Sequence, residues 1–187
     1  MSFSFRKQKK FFDIVEYTGT SVAQAIPHGL DSVPGMIIVK RLDAGNYWAI
    51  WHRKLNDGTN SGQYWIRLDS TDVEGTDSGM WNNTEPTATH FTVGGSGTTN
   101  TGTYVAYLFA HNNNDGEYGG DADQDIIKCG SYTGNGSTQD INLGFEPQWI
   151  IIKTTSTTGP WYIWDHMRGV ATNGDDWYLR ANESGDE

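Results

Sequence analysis

The sequence predicts an all-β protein made of tandem antiparallel β-sandwich (jelly-roll-like) units, the second incomplete in this chain. Three observations carry that expectation. Gly alone supplies 23 of the 187 residues, yet aromatic side chains still make up 13%; many turns are thus joined to enough large apolar groups for a core, which a disordered chain lacks. Short β-branched and aromatic runs bounded by Pro, Gly, Asn or Asp follow one another at roughly 8–12 residues, and no stretch has helical periodicity. The chain also repeats itself, and repeats govern the reading of everything else.

The elements follow in order. Residues 1–11 form a basic N-terminal arm. Positions 1–10 carry four of the 13 Lys and Arg residues and no acid, which leaves nine basic against 23 acidic residues for the remainder. The first sandwich repeat spans 12–110. Its strands are the Pro-led run Met36–Lys40, the alternating Tyr47–His52, then Tyr64–Leu68, His90–Val93 and Thr103–Phe109. Within Tyr47–His52 the period of two puts Trp48, Ile50 and His52 on one face, and Tyr47, Ala49 and Trp51 on the other. Turn residues such as Asn56-Asp57-Gly58 fill the joints. An Asn/Asp/Gly-rich linker covers 111–125. The second, truncated repeat spans 126–187, opening on the strand-like Ile126–Gly130 and continuing through Trp149–Lys153.

The repeat is explicit. Tyr17-Thr18-Gly19 returns as Tyr132-Thr133-Gly134, an offset of 115, and Ile26 returns as Ile141. After two extra residues near Asp31 the offset becomes 113. Pro34–Lys40 then matches Pro147–Lys153, Trp48–Trp51 matches Trp161–Trp164, and Arg67 matches Arg180. The second copy has no counterpart of residues 75–110, so its sheet is expected to be completed by polypeptide beyond 187 or by another chain, the first being preferred.

Charge and composition exclude several classes. An acidic body does not bind nucleic acid by counterion release. No apolar run approaches the roughly 18 residues of a membrane span, and the first ten residues lack the apolar stretch of a secretory signal. One cysteine precludes an internal disulfide framework. The expectation is a protein made in a cytoplasm, with no membrane insertion.

Candidate chemistry is sparse. A glycosidase needs two carboxyls about 5–10 Å apart, and only Asp13, Glu16 and Asp165 lie in or beside expected strands. Cys129 replaces Ile14 of the first copy and reads as a small buried apolar group, not a nucleophile. The five histidines lack metal-ligand spacing. The linker acids resemble a calcium loop only superficially, without the Gly and terminal Glu of an EF-hand. No catalytic residue, metal or cofactor is expected. Trp48 and Trp161 read as core. Trp51 and Trp164, on the opposite face, are either core or an exposed platform that stacks on a glycan ring.

The run Val33–Arg41, then Trp48–His52, Trp81–Thr87, Phe91–Gly94 and Thr103–His111, with Ile127–Gly136 and Gly144–Trp149 in the second copy, resembles a tandem domain of unknown function. That domain is frequent in tail-fibre and other virion proteins of marine bacteriophages and cyanophages. The resemblance spans about 12–187 and implies a structural virion protein with no active site to carry over. The expected role is a tail fibre or tail-associated appendage involved in assembly and host attachment. Its partners would be other tail proteins, in a homotrimer. A carbohydrate-binding module gripping a host surface glycan through Trp51 and Trp164, or a capsid decoration protein, are the alternatives. Phe3, Phe5, Arg6, Lys7, Lys9, Lys10, Phe11 and Phe12 would form the assembly arm, ordering on attachment and adding nothing to the fold.

Overall fold

A computed structural model describes residues 5–112, 118, 119, 121, 123–168 and 177–183. It is nearly all-β, with every sheet antiparallel. The strands are β1 (Phe12–Thr18), β2 (Gln24–Pro27), β3 (Met36–Arg41), β4 (Trp48–His52), β5 (Tyr64–Arg67), β6 (Gly75–Thr76), β7 (His90–Val93), β8 (Thr103–Phe109), β9 (Trp149–Lys153), β10 (Trp161–Asp165) and β11 (Leu179–Arg180). Two short 3-10 turns, Leu55–Gly58 and Ser61–Gln63, lie between β4 and β5, and an α-helical turn, α1 (Ser78–Trp81), precedes β7, capped by the Asp77 side chain, which accepts from the Gly79 N–H at 2.8 Å.

Six strands form the main sheet in the order β1-β8-β3-β4-β5-β6; β2 and β7 form a separate ribbon, and β11-β10-β9 a third sheet. Alternation divides the main sheet cleanly. Ile37, Val39, Ala49, Trp51, Tyr104, Ala106 and Leu108 point to one face, where Met80 and Trp81 of α1 and Ile26, Phe91 and Val93 of the ribbon cover them. Met36, Ile38, Ile50, Ile66, Tyr107 and Phe109 point to the other, where they meet Phe12, Cys129, Ile151 and Trp161. Trp51 and Trp81 are each 2% exposed, so the first core is built around indoles.

The repeat found in the sequence is a repeat of hydrogen-bond register. Ile37 pairs with Trp51 and Val39 with Ala49 across β3 and β4; Ile150 pairs with Trp164 and Ile152 with Tyr162 across β9 and β10. Ala49 faces Arg67 on β5 as Tyr162 faces Arg180 on β11. Even the flanking bonds recur: Arg53 N to Gly35 O at 3.0 Å and His166 N to Gln148 O at 3.0 Å; Leu68 N to Trp48 O and Ala181 N to Trp161 O. A constant offset of 113 residues thus maps β3-β4-β5 onto β9-β10-β11.

The two sheets are also tied together. Trp161 is 5% exposed, and its indole N–H donates to the Arg67 carbonyl at 2.7 Å. Backbone bonds from Glu74 to Thr155 and from Gly159 to Thr71 add to this seam.

Four expectations change. Trp48 is half-buried and belongs to neither core cluster, with the Lys40 ammonium 5.7 Å from its ring centre, whereas its counterpart Trp161 is buried in the seam. Ile126–Gly130 is not a strand. Its counterpart β1 pairs only with β8, and the second repeat offers no equivalent of β8 among the described residues. The backbone groups of this segment bond instead to the end of the first repeat, Ile127 O accepting from the Asn112 N–H at 2.8 Å and the Cys129 N–H donating to His111 Nδ1 at 3.0 Å, so no ladder forms. Phe12 is not part of a free arm: it opens β1, 3% exposed and paired with Phe109. The linker does not stand apart from the repeats at its edges, because Asn112 is 1% exposed and its side-chain oxygen accepts from the N–H groups of Ile126 and Ile127. Residues 113–117, 120 and 122 of that linker, and Phe3 of the arm, lie outside the described residues.

Candidate functional site

The face that is core in the first repeat is open in the second. Ile37, Val39, Ala49, Trp51 and Trp65 correspond at the same offset to Ile150, Ile152, Tyr162, Trp164 and Tyr178. In the first repeat α1 and the β2–β7 ribbon cover this face. In the second, Ile150, Ile152, Tyr162 and Trp164 are only half-buried, Tyr178 is 38% exposed, and Trp177 is 60% exposed.

The aromatic side chains there pack on one another. Tyr162 and Trp164, two residues apart on β10, stack with centroids 5.5 Å apart and planes at 23°. Tyr178 meets Tyr162 edge-on at 5.1 Å and Trp164 at 6.2 Å. The Arg180 guanidinium lies 5.7 Å from the Tyr162 ring and 5.5 Å from that of Tyr178, and pairs with Glu183 at 2.6 Å. A bare cavity wall would be wholly apolar. This face instead mixes flat rings with phenol and guanidinium groups, the combination that both stacks on and hydrogen-bonds a polyhydroxylated ring.

Of the two platform residues expected from sequence, only Trp164 lies here. Trp51 is enclosed by the first core and is not a platform. Tyr162, Tyr178 and Arg180 were missed. The repeat carried the signal: Tyr162 replaces Ala49, so a large amphipathic ring stands where the first copy has a methyl group under its cover.

The expected arm is largely folded. The Phe5 ring, 43% exposed, packs against Phe11, Phe12, Phe109 and Trp149 at centroid distances from 5.4 to 6.4 Å. Lys7 pairs with Asp13 at 3.3 Å and donates to the Ile14 carbonyl, and Lys9 pairs with Asp31 at 3.5 Å. The Lys10 N–H donates to Leu30 O at 2.6 Å. Phe11 is half-buried, while Arg6, Lys7 and Lys9 remain exposed. The segment is therefore a strap across the sheet edge, with its cations outward.

Of the three acids on strands, Glu16 is exposed on β1, and Asp13 and Asp165 anchor backbone N–H groups. Asp13 accepts from the Gly29 N–H at 2.7 Å and the Ile14 N–H at 2.9 Å. Burial alone would raise its pKa, but these bonds and Lys7 outweigh it and hold the carboxyl below its ordinary value. Asp165 is 2% exposed and accepts from the N–H groups of Met167 and Arg168 and from the Arg168 guanidinium. Burial pushes the Cys129 thiol up to about 12, slightly opposed by Arg53, which leaves it without thiolate character. His52 is driven down to about 4 by burial, with the charges of Arg53, His111 and Lys54 adding to this. Among the described residues no group of three His, Cys, Asp or Glu is placed to hold a metal ion, and no helix is long and apolar enough to cross a membrane.

A family model described as a domain of unknown function, DUF7483, matches residues 4–187. The chain belongs to the DUF7483 family. No curated protein and no solved structure matches it. The DUF7483 match runs across both repeats and covers the three-stranded sheet as well as the six-stranded one.

Proposed function

We propose that this DUF7483 chain is a non-enzymatic structural protein of a bacteriophage virion, part of a tail fibre or tail-associated appendage that assembles as a homotrimer. The observation that carries the reading is the stacking of register-identical β-repeats through the Trp161 seam. Such repeats extend a rigid body by addition, each bonded mainly to its neighbour. The resemblance of both copies to virion proteins of marine bacteriophages and cyanophages supports the same reading. So does the use of Asp13 and Asp165 as backbone anchors, which leaves them no free carboxyl for acid–base work. Jelly-roll-like sandwich units in tandem would be the finer architecture, and the exposed cations Arg6, Lys7 and Lys9 would face an acidic socket on a neighbouring tail protein. Immunogold labelling of purified particles, with light scattering of the isolated protein, tests this. Label on the tail and a mass of three chains are expected. Absence of the protein from particles overturns the proposal, and label on the shell makes it a capsid decoration protein.

The open aromatic face favours a second, compatible reading: a carbohydrate-binding surface for a host glycan, with Trp164, Tyr162 and Tyr178 as the stacking rings. Glycan-array binding that is lost in Trp164→Ala and kept in Lys7→Ala is the expected pattern. Equal binding by both variants removes this reading.

A further inference from the structure

We infer that the second sheet is a receptor for an extended peptide strand, which pairs antiparallel with β9 on the side away from β10. The inference starts from the direction of backbone groups. Along a strand, successive residues turn their N–H and C=O to alternate sides. In the first repeat Gly35 O accepts from Arg53 on the β4 side, and Leu42 N donates to Thr103 O on the β8 side. Ile37 and Val39 therefore face β4, while Met36, Ile38 and Lys40 face β8, which lies beside β3. In the second repeat Gln148 O accepts from His166 as Gly35 O does from Arg53. Ile150 and Ile152 are thus turned to β10, and Trp149, Ile151 and Lys153 present N–H and C=O to a side where, among the described residues, no strand pairs with them.

The other neighbour of β8 has its counterpart too. β8 lies between β3 and β1, and at the offset of 115 β1 corresponds to residues 127–133. That stretch makes no ladder, and residues 130–134 are exposed throughout. A Cβ added at Gly130 or Gly134 would meet nothing within 4 Å. The β1 counterpart is tied at its start to the end of the first repeat, with Asn112 N–H donating to Ile127 O and Cys129 N–H to His111 Nδ1, and beyond it neither this stretch nor the outer edge of β9 has a partner strand among the described residues.

The chemistry of the occupant follows from β8 itself. Tyr104, Ala106 and Leu108 are 0% exposed on one face, and Val105 and Phe109 are 8% and 9% exposed on the other. Around β9 the sheet is apolar on both faces as well, with Ile150 and Ile152 on one and Trp149 and Ile151 on the other. The partner is thus an uncharged extended segment of about seven residues, apolar on both faces like β8 itself. Strand addition of this kind draws affinity from main-chain bonds and selectivity from the alternate side chains. Between Pro147 before the strand and Lys153 at its end, Trp149-Ile150-Ile151-Ile152 carries no charge or Pro, so the middle of this edge is free of the devices that keep edges from pairing.

The test uses the whole chain and a lysine-flanked synthetic peptide of residues 101–111, read by amide hydrogen exchange. Saturable binding should slow exchange at Ile151 and Lys153 by at least about tenfold, as for amides moved from an open edge into a ladder. Ile150 and Ile152, already bonded to β10, should not change. The same peptide N-methylated at Val105 and Tyr107 should have no effect. No slowing at Ile151 and Lys153 overturns the proposal. So does faster exchange at Ile38 and Lys40, which would mean the peptide displaces β8 of the first sheet. Slowing that appears without peptide and grows with protein concentration assigns the edge to self-pairing instead, and also overturns it.

Discussion

Replacing the four repeat-related tryptophans one at a time by Ala separates sequence equivalence from structural equivalence. Trp51 is 2% exposed in the first core, whereas its counterpart Trp164 is half-buried on an open face. The other pair is reversed: Trp161 is 5% exposed in the seam, and Trp48 is half-buried at the rim. Truncating an enclosed Trp removes its transfer free energy and leaves a cavity, about 3–5 kcal/mol together. Trp161→Ala also strips the donor from the Arg67 carbonyl, worth about 1 kcal/mol more. On an open face only part of the ring area is removed from water and solvent fills the gap. Trp164→Ala and Trp48→Ala should therefore cost about 1–2 kcal/mol. Urea unfolding followed by circular dichroism gives all four values from one baseline. The costly member should be the first-copy residue in the 51/164 pair and the second-copy residue in the 48/161 pair. Equal costs within each pair would mean that the two sheets are buried alike, and would refute both the open face and the seam.

Other outcomes follow from the same contacts. Gly19→Ala should destabilise by about 2 kcal/mol or more, since its Cβ would sit within 2.6 Å of the Asn100 carbonyl oxygen, while Gly134→Ala at the equivalent place should be within about 0.5 kcal/mol of neutral; matching melting temperatures would contradict this. Because the folded pKa of His52 is depressed to about 4, the unfolded chain binds the extra proton, and stability present above pH 6.5 falls as pH drops towards 4, by at most about 3 kcal/mol, less for a half-exposed ring. His52→Asn should flatten that limb of a stability–pH profile. Asp13 adds a further loss at lower pH, below its ordinary value, which Asp13→Asn should remove. Cys129 should resist a disulfide reagent in the native protein and react fully in urea; fast native labelling would place it at the surface. Deleting residues 1–10 should lower stability by about 1–3 kcal/mol, through loss of the Phe5 contacts and the Lys10–Leu30 bond, measured by the urea midpoint.

Strand positions were legible because their signal is local. Met36–Lys40 and Trp149–Lys153 are Pro-led β-branched runs, and both are strands. The alternation in Trp48–His52 also sorted Ala49 and Trp51 from Ile50 correctly. The arm was misjudged because its cations are more conspicuous than its rings. Charge separation suggested a free tail, but the Phe5 and Phe12 contacts depend on Phe109 and Trp149, which lie far along the chain. Nothing in positions 1–12 announces those partners.

The two copies also show why a shared pattern did not reveal the shared burial. Trp51 and Trp164 have the same residue type, strand position and cross-strand partner class, facing Ile37 and Ile150. What differs is whether α1 and the β2–β7 ribbon lie above them. Burial is a property of the covering layer, and that layer is encoded some 30–45 residues away, in Met80, Trp81, Phe91 and Val93. The local substitution that does register the difference is Ala49 to Tyr162: under a cover a Tyr there would overpack the core, at a cost of about 1–3 kcal/mol, whereas on an open face it stacks on Trp164. Restoring the small residue therefore discriminates between the two uses of one framework. Tyr162→Ala should leave stability within about 1 kcal/mol while abolishing any glycan binding at this face; Ala49→Tyr should destabilise the first repeat by overpacking, and a tolerated Ala49→Tyr would show that its cover is not seated on Ala49 at all.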